Sequence, residues 1–245
     1  MMSENTQSFP SVPEIAALID HAVLRPELSR ADVDAQLDEA RTLGVFSACV
    51  RPCDVAHAAR RLEDSGTAVG TVIGFPHGTT STAAKVAEAR QALADGAVEL
   101  DMVVNIGGLR SGAFQEEVED DIRAVVAAAD GHVLKVILET SYLNDDQIVA
   151  GCTAAERAGA EFVKTATGFG PGGATEHALR VMRAAVSDAV QIKASGGVRD
   201  LDTLLAYRAL GVTRFGTSGS ATILRDVAAR LRGDSVAVRI DSASY

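Results

Sequence analysis

Lys164 lies in Glu161-Phe162-Val163-Lys164-Thr165-Ala166-Thr167-Gly168-Phe169, a short apolar run that carries one cation and meets glycine at once. Such flanks read as a buried strand that tolerates a single charge. Burial disfavours the charged form of an ammonium, so a lysine placed there titrates low and becomes an amine nucleophile. The other reading is a lysine whose stem is buried while its head reaches water or a carboxylate. On this stretch alone the two readings stand level. Lys193 sits in a second short strand, and two cations brought close together each raise the cost of protonating the other. Asp101, in Leu100-Asp101-Met102-Val103-Val104, is an acid in an otherwise apolar strand, expected to face the same interior as the lysines. Its plainer reading is a buried salt bridge. Such pairs are costly to bury and weak evidence for stability, which favours chemistry.

The elements that must position these residues repeat one pattern: amphipathic helix, glycine, apolar strand. Pro13 opens a helix over 14–19, and a short strand over 22–24 is ended by Pro26. Ser29-Arg30-Ala31-Asp32 is a capping-box pattern; Val33, Leu37, Ala40 and Leu43 follow at helical spacing and Gly44 stops the helix. A strand over 45–50 comes next. The pattern then pairs helices over 60–65, 83–95 and 117–130 with strands over 68–75, 98–104 and 133–139. In the second of these helices Val86, Ala89 and Leu93 are expected to point inward. Asn144 caps a helix carrying Ile148, Cys152 and Ala155, which leads to the strand over 162–167. A helix over 175–186 leads to a strand over 190–195, and Asp200 caps the helix over 201–210 before the strand over 212–216.

Eight strands, each separated from the next by a helix, give a parallel sheet with right-handed crossovers and favour a single α/β barrel of the (β/α)₈, or TIM, type. A short N-terminal helix and a flexible C-terminal tail flank it. The expected division is an N-terminal arm over 1–13, a catalytic barrel over 14–232 and a tail over 233–245. In such a barrel the active site lies at the C-terminal ends of the strands. Lys164 and Thr167, Lys193, Asp101, Asp20 and Cys49 all fall at or near those ends. Ser195-Gly196-Gly197 and Thr217-Ser218-Gly219-Ser220 follow the last two strands, where backbone N–H groups often hold a phosphate. Gly168-Phe169-Gly170-Pro171-Gly172-Gly173 imitates a dinucleotide fingerprint. The acid that fingerprint needs on the next strand is absent, with Lys193 in that region, and Pro171 removes an N–H. His57 and His177 fall on solvated helix faces, His132 on the wrong side of the barrel, and His77 has no evident partner.

The chain has 245 residues, 47% of them hydrophobic, and a net charge of −10, which argues against a nucleic-acid or anionic-membrane surface. Cys49, Cys53 and Cys152 are an odd number in a long chain, which reads as reduced thiols in a cytoplasmic protein without a metal site. No leader or membrane-spanning run is evident.

Five motifs in order resemble the deoxyribose-phosphate aldolase family: Asp20-His21 with Leu24-Arg25-Pro26, Val72-Ile73-Gly74-Phe75-Pro76, Leu100 to Gly107, Phe162 to Phe169, and Lys193 to Arg199. The resemblance runs from about residue 14 to about residue 224. It implies a class I aldolase, a lyase that interconverts 2-deoxyribose 5-phosphate with glyceraldehyde 3-phosphate and acetaldehyde in deoxyribonucleoside catabolism, without metal or organic cofactor. By motif, Lys164 is expected to form the Schiff base, Lys193 to lower its pKa, and Asp101 to relay protons through a water. Asp20 is expected to orient a substrate hydroxyl. Thr167, Gly168, Gly196, Gly197, Ser218 and Gly219 are expected to bind the rest of the substrate, the glycines and Ser218 as a phosphate cradle. Tyr245 resembles a terminal tyrosine that assists proton transfer at the enamine in some members.

Ala22 and Arg25 stand where the family usually shows Thr and Lys, Arg51 where an Asn is often found, Ala166 for Ser, and Gly219 for one of two serines. None touches Lys164, Lys193 or Asp101. These departures bear on substrate preference and phosphate affinity rather than on reaction type. Cys49 is expected to be packing, with addition to reactive aldehydes as the other reading. Two further functions fit the same pocket: a non-covalent phosphosugar isomerase or synthase, and a sugar-phosphate sensor. The acidic surface also leaves room for a homo-oligomer.

Overall fold

Apolar residues at every second position build the strands, and capped amphipathic segments build the helices between them. The computed structural model describes residues 9–234. The expectations for the tail beyond residue 234, Tyr245 included, lie outside the described residues. Eight strands run β1 (Ile19–Val23), β2 (Ser47–Val50), β3 (Ala68–Ile73), β4 (Glu99–Val103), β5 (Val133–Ile137), β6 (Phe162–Lys164), β7 (Gln191–Ser195) and β8 (Arg214–Thr217). All neighbours pair in parallel, and β8 closes on β1 through Ile19 opposite Phe215 and Asp20 opposite Gly216, so the sheet is a closed barrel.

The intervening helices are α1 (Val12–Ala16), α2 (Arg30–Leu43), α3 (Val55–Arg61), α4 (Thr82–Ala94), α5 (Ile106–Ser111), α6 (Asp120–Ala129), α7 (Asp145–Ala158), α8 (Glu176–Ala185), α9 (Leu201–Ala209) and α10 (Ser220–Leu231). Their ends follow the chemistry of orphan backbone groups. The Ser29 hydroxyl accepts from Asp32 N while the Asp32 carboxylate accepts from Ser29 N at 2.9 Å, a reciprocal cap that starts α2. Gly44, with φ +61°, ends it in the left-handed conformation that glycine adopts without penalty.

The first strand differs from the expectation. It begins at Ile19, three residues earlier than the segment over 22–24, because the first helix spans only Val12–Ala16 with Pro13 in its first turn. Asp20 and His21 therefore lie within β1 rather than before it. The strand over 162–167 is shorter than expected: after Lys164 the chain bonds across to both neighbours, Thr165 N to Lys193 O and Thr140 N to Thr165 O, without extending the ladder.

On α4 the helical stripe expected to face inward is shifted. Lys85, Ala89 and Ala92 are buried, whereas Val86 and Leu93 are only partly buried. Lys85 is fully enclosed because its ammonium donates to Asp121 Oδ2 of α6 at 2.6 Å, and Thr82 Oγ1 donates to the other oxygen at 2.8 Å. A satisfied cation can occupy a core position that composition alone would give to an aliphatic.

Alternate strand residues turn outward and inward. The outward set, including Leu100, Met102, Leu134, Val136, Val163, Ile192 and Phe215, packs with the helices into the hydrophobic core. The inward set fills the barrel in layers contributed by alternate strands. On this alternation Ser47, Glu99, Phe162 and Arg214 make the lowest layer, Asp20, Gly70, Lys135 and Lys193 the next, and Cys49, Asp101, Lys164 and Gly216 the one above. The core sits outside the barrel; the interior is ionic.

Candidate active site

Seven buried ionisable side chains from six strands meet inside the barrel. Asp101 is their hub: Oδ2 accepts from Lys164 Nζ at 2.8 Å and from Lys193 Nζ at 2.7 Å, and Oδ1 accepts from Lys135 Nζ at 2.9 Å. Lys193 also donates to Asp20 Oδ2. Asp20 Oδ1 in turn accepts from Ser47 Oγ at 2.7 Å and Arg214 Nη1 at 2.8 Å. Glu99 Oε2 closes the set, accepting from Lys135 at 2.7 Å and Arg214 at 3.0 Å. Arg214 Cζ lies over the Phe46 ring, 3.5 Å from its centre. Gly216 opens space above: a Cβ there would come within 3.3 Å of Lys193 Cε and 3.0 Å of Ser195 Cβ.

Electrostatics separates the two lysines that share Asp101. Burial presses the Lys164 ammonium to lose its proton, Asp101 opposes this, the Lys193 charge adds to it, and the net shift is downward. Lys193 is equally buried, but two carboxylates, Asp101 and Asp20, outweigh the burial and hold it firmly protonated. Asp101 stays ionised well below the usual carboxylate range, since Lys135, Lys164 and Lys193 together override a burial that would push it up. Asp20 does the same against Lys193, Lys135 and Arg214. Of the two lysines on Asp101, Lys164 is thus the one that gives up its proton more readily, beside a fixed cation and a fixed anion.

Lys164 and Lys193 both line a cleft at the C-terminal end of the barrel, with Asp101 just beneath and 1% exposed. Across the mouth, Gly168, Gly196, Gly197, Ser218 and Gly219 border the same cleft. Gly168, Gly196 and Gly197 have φ of +84°, +81° and +82°, conformations open to glycine at little cost. Gly219 is the N-cap of α10, so a 12-residue helix begins at this rim, the end of a helix that favours anions. Thr167 is buried beside them. Its N–H and hydroxyl both donate to Glu139 Oε2 while its Oγ1 accepts from Phe169 N at 3.0 Å, which fixes the turn after Lys164.

The loop that imitates a dinucleotide fingerprint has a packing explanation. A Cβ on Gly170 would meet Glu139 Cδ at 2.9 Å, one on Gly172 would meet Ser141 Cβ at 3.0 Å, and one on Gly173 would fall 2.2 Å from Gly196 O. These glycines let the loop lie against the β5 end and against the turn after β7.

His21 faces outward from β1, where its Nδ1 lies 2.8 Å from Ser220 Oγ and burial depresses its pKa to about 4. Cys49 is buried in the interior, and burial together with Asp101 pushes its thiol up to about 11. At neutral pH it is a packed thiol rather than a nucleophile. His77 stays outside the ionic interior, and His177 Nε2 meets Asp145 Oδ1 at 2.8 Å on the surface. Among the described residues no group of three or more His, Cys, Asp or Glu side chains is arranged to hold a metal ion. Sequence reading missed Glu99 and Arg214. The signal was present in the period of two: Glu99 precedes Asp101 by two on β4, and Arg214 precedes Gly216 by two on β8.

Comparison with known proteins gives a consistent match. The model of the DeoC/LacD family aldolases matches residues 15–226. The chain is 47% identical over 214 residues to deoxyribose-phosphate aldolase 2 of Staphylococcus aureus (strain MRSA252), covering 87% of this chain and 97% of that protein. It is 48% identical over 217 residues to deoxyribose-phosphate aldolase 1 of Bacillus licheniformis, covering 88% and 97%. Among solved structures, the tetrameric deoxyribose phosphate aldolase of Aeropyrum pernix superposes with a TM-score of 0.81 at 29% identity, covering 89% of this chain and 93% of that one.

Proposed function

The chain belongs to the DeoC/LacD family of aldolases and is a lyase, and from that premise we propose that it cleaves 2-deoxyribose 5-phosphate reversibly through a Schiff base on Lys164. The observation that carries this reading is the asymmetry of the two lysines on Asp101: one is depressed, the other held charged.

In the proposed cycle the neutral Lys164 amine adds to the sugar's aldehyde carbon, and the carbinolamine loses water to give a protonated imine. Asp101, through a water, passes protons between the adduct and solvent. Deprotonation of the hydroxyl on the third carbon breaks the bond between the second and third carbons. The electron pair flows into the imine, leaving an enamine on Lys164 and releasing glyceraldehyde 3-phosphate. Protonation of the enamine carbon and addition of water release acetaldehyde and restore the amine. The imine is the electron sink that spares a free carbanion.

Lys193 expels the proton from Lys164 before addition. Asp20, both of whose oxygens are occupied, holds Lys193 from below and orients the substrate hydroxyl through it. Gly168, Gly196, Gly197, Ser218 and Gly219 cradle the phosphate at the α10 N-terminus, and Thr167 sets the turn that carries Gly168. Tyr245, outside the described residues, is retained as a proton-relay candidate. We also read the protein as a homo-oligomer, as the Aeropyrum pernix structure is tetrameric, and as cytoplasmic from its three free cysteines. No helix among the described residues is long and apolar enough to cross a membrane.

The test is turnover. Purified protein given 2-deoxyribose 5-phosphate should release acetaldehyde, and Lys164→Ala should release none while keeping the wild-type circular dichroism. Binding without cleavage in the wild type would move the reading to a sensor, and conversion without acetaldehyde to an isomerase.

A further inference from the structure

We propose that Glu99 and Arg214, in the lowest layer of the barrel and remote from any reacting atom, are positioning residues that set how readily the Lys164 amine sheds its proton. The inference rests on Lys164 being the reacting amine.

Its first support is connectivity. Arg214 reaches Asp101 through Asp20 and Lys193, and Glu99 reaches it through Lys135, each step a hydrogen-bonded ion pair. Glu99 and Arg214 also pair with each other at 3.0 Å, so the two routes form one closed system. A barrel interior is ordinarily filled with branched aliphatics, which are cheaper to bury than charges.

The second support is the balance of charge. The connected set holds three carboxylates, Asp20, Glu99 and Asp101, against four bases, Lys135, Lys164, Lys193 and Arg214. With every base protonated, the interior carries one uncompensated positive charge in a region of low dielectric. Loss of a single proton removes it. Geometry decides which base gives it up. Lys135, Lys193 and Arg214 each contact at least two carboxylates, whereas among the described residues Lys164 contacts Asp101 alone. The directions agree: Lys164 is lowered, while Lys135, Lys193 and Arg214 are raised.

The other groups facing Lys164 do not upset the count. Cys49 on β2 is a neutral thiol, and the inward residues of β3, Gly70 and Val72, carry no charge. Glu139, beyond the end of β5, stands outside this chain of ion pairs: its Oε2 accepts from the Thr167 N–H and hydroxyl, and its buried Oε1 has no hydrogen-bond partner among the described residues. Glu99→Gln therefore adds to the positive excess and should drive the Lys164 proton off at lower pH. Arg214→Gln removes the excess and should hold the proton to higher pH.

The measurement titrates the amine itself rather than the reaction. Reductive methylation by formaldehyde and cyanoborohydride is followed against pH, and the rate at Lys164 is read by peptide mass mapping. Glu99→Gln should lower the midpoint and Arg214→Gln raise it, each by about one pH unit. Arg214→Lys keeps the charge and should keep the wild-type midpoint. The double variant Glu99→Gln/Arg214→Gln, which removes one charge of each sign, should return to it. Either single variant that folds decides the matter, because each predicts a sign. A midpoint that stays put, or moves the wrong way, overturns the inference. Opposite shifts in a protein that fails to cleave the sugar phosphate uphold the layer and reject the proposed reaction instead.

Discussion

Lys164 is useful because its environment disfavours its charged form, and that has an energetic consequence. A buried lysine with a lowered pKa opposes folding at neutral pH, since the unfolded chain binds the proton more readily. Lys164→Met should therefore abolish turnover yet leave stability unchanged or raise it by about 1 kcal/mol, read from urea unfolding. A loss of several kcal/mol would show that the amine serves as a structural cation. Lys193→Leu works in the opposite electrostatic sense. Without the neighbouring cation the Lys164 amine keeps its proton to higher pH, so the acidic limb of the kcat/KM profile should move up by about one unit. An unmoved limb would remove Lys193 from this role. At this scale the sequence was informative wherever a charge interrupted an apolar strand, as at Lys164, Lys193 and Asp101. Glu99 and Arg214 sit at strand starts, where a charge also fits a solvated turn. Their place in the ionic set emerges only when β4 and β8 face one another across the barrel.

Between strands and helices, the capping residues were legible because their chemistry is local. Ser29, Asn144 and Asp200 each accept from a backbone N–H three residues on, as their side chains predict. The short first strand and the buried face of α4 were not, because tertiary partners decide them. Ile19 pairs with Phe215, nearly two hundred residues away. Lys85 enters the core only because Asp121 waits on α6. Lys85→Ala leaves that carboxylate buried without its cation and should cost about 3–5 kcal/mol in urea unfolding. A change under about 1 kcal/mol would mean the pair is solvated. The loop after β6 makes a further prediction. Gly173→Ala places a Cβ against Gly196 O and should displace the proposed phosphate cradle. KM for the phosphorylated sugar should rise about tenfold, about 1.4 kcal/mol, with kcat less affected. An equal loss for unphosphorylated deoxyribose would point to general distortion.

For the molecule as a whole, the ionic interior ties stability to pH in a defined window. Asp20 and Asp101 have folded pKa values below their unfolded ones, so their contribution is complete above about pH 4 and is lost as the pH falls further. Lys135 and Lys193 are raised, so theirs is complete below about pH 10 and is lost as the pH climbs through their folded values. Urea midpoints should fall on both sides of these limits and rise with pH between them, because the depressed His21 opposes folding below about pH 6.5 and the lowered Lys164 opposes it less as the pH nears about 10. The (β/α)₈ architecture was readable from eight repeats of one pattern. Its ionic centre was readable only in part, because the interior is assembled from single residues on strands far apart in the chain. A Schiff base on Lys164 is tested most directly by borohydride reduction in the presence of acetaldehyde, followed by peptide mapping. The expected product is a stable ethyl adduct on Lys164, absent in Lys164→Met. Active protein with no adduct, or an adduct on Lys193 instead, would contradict it.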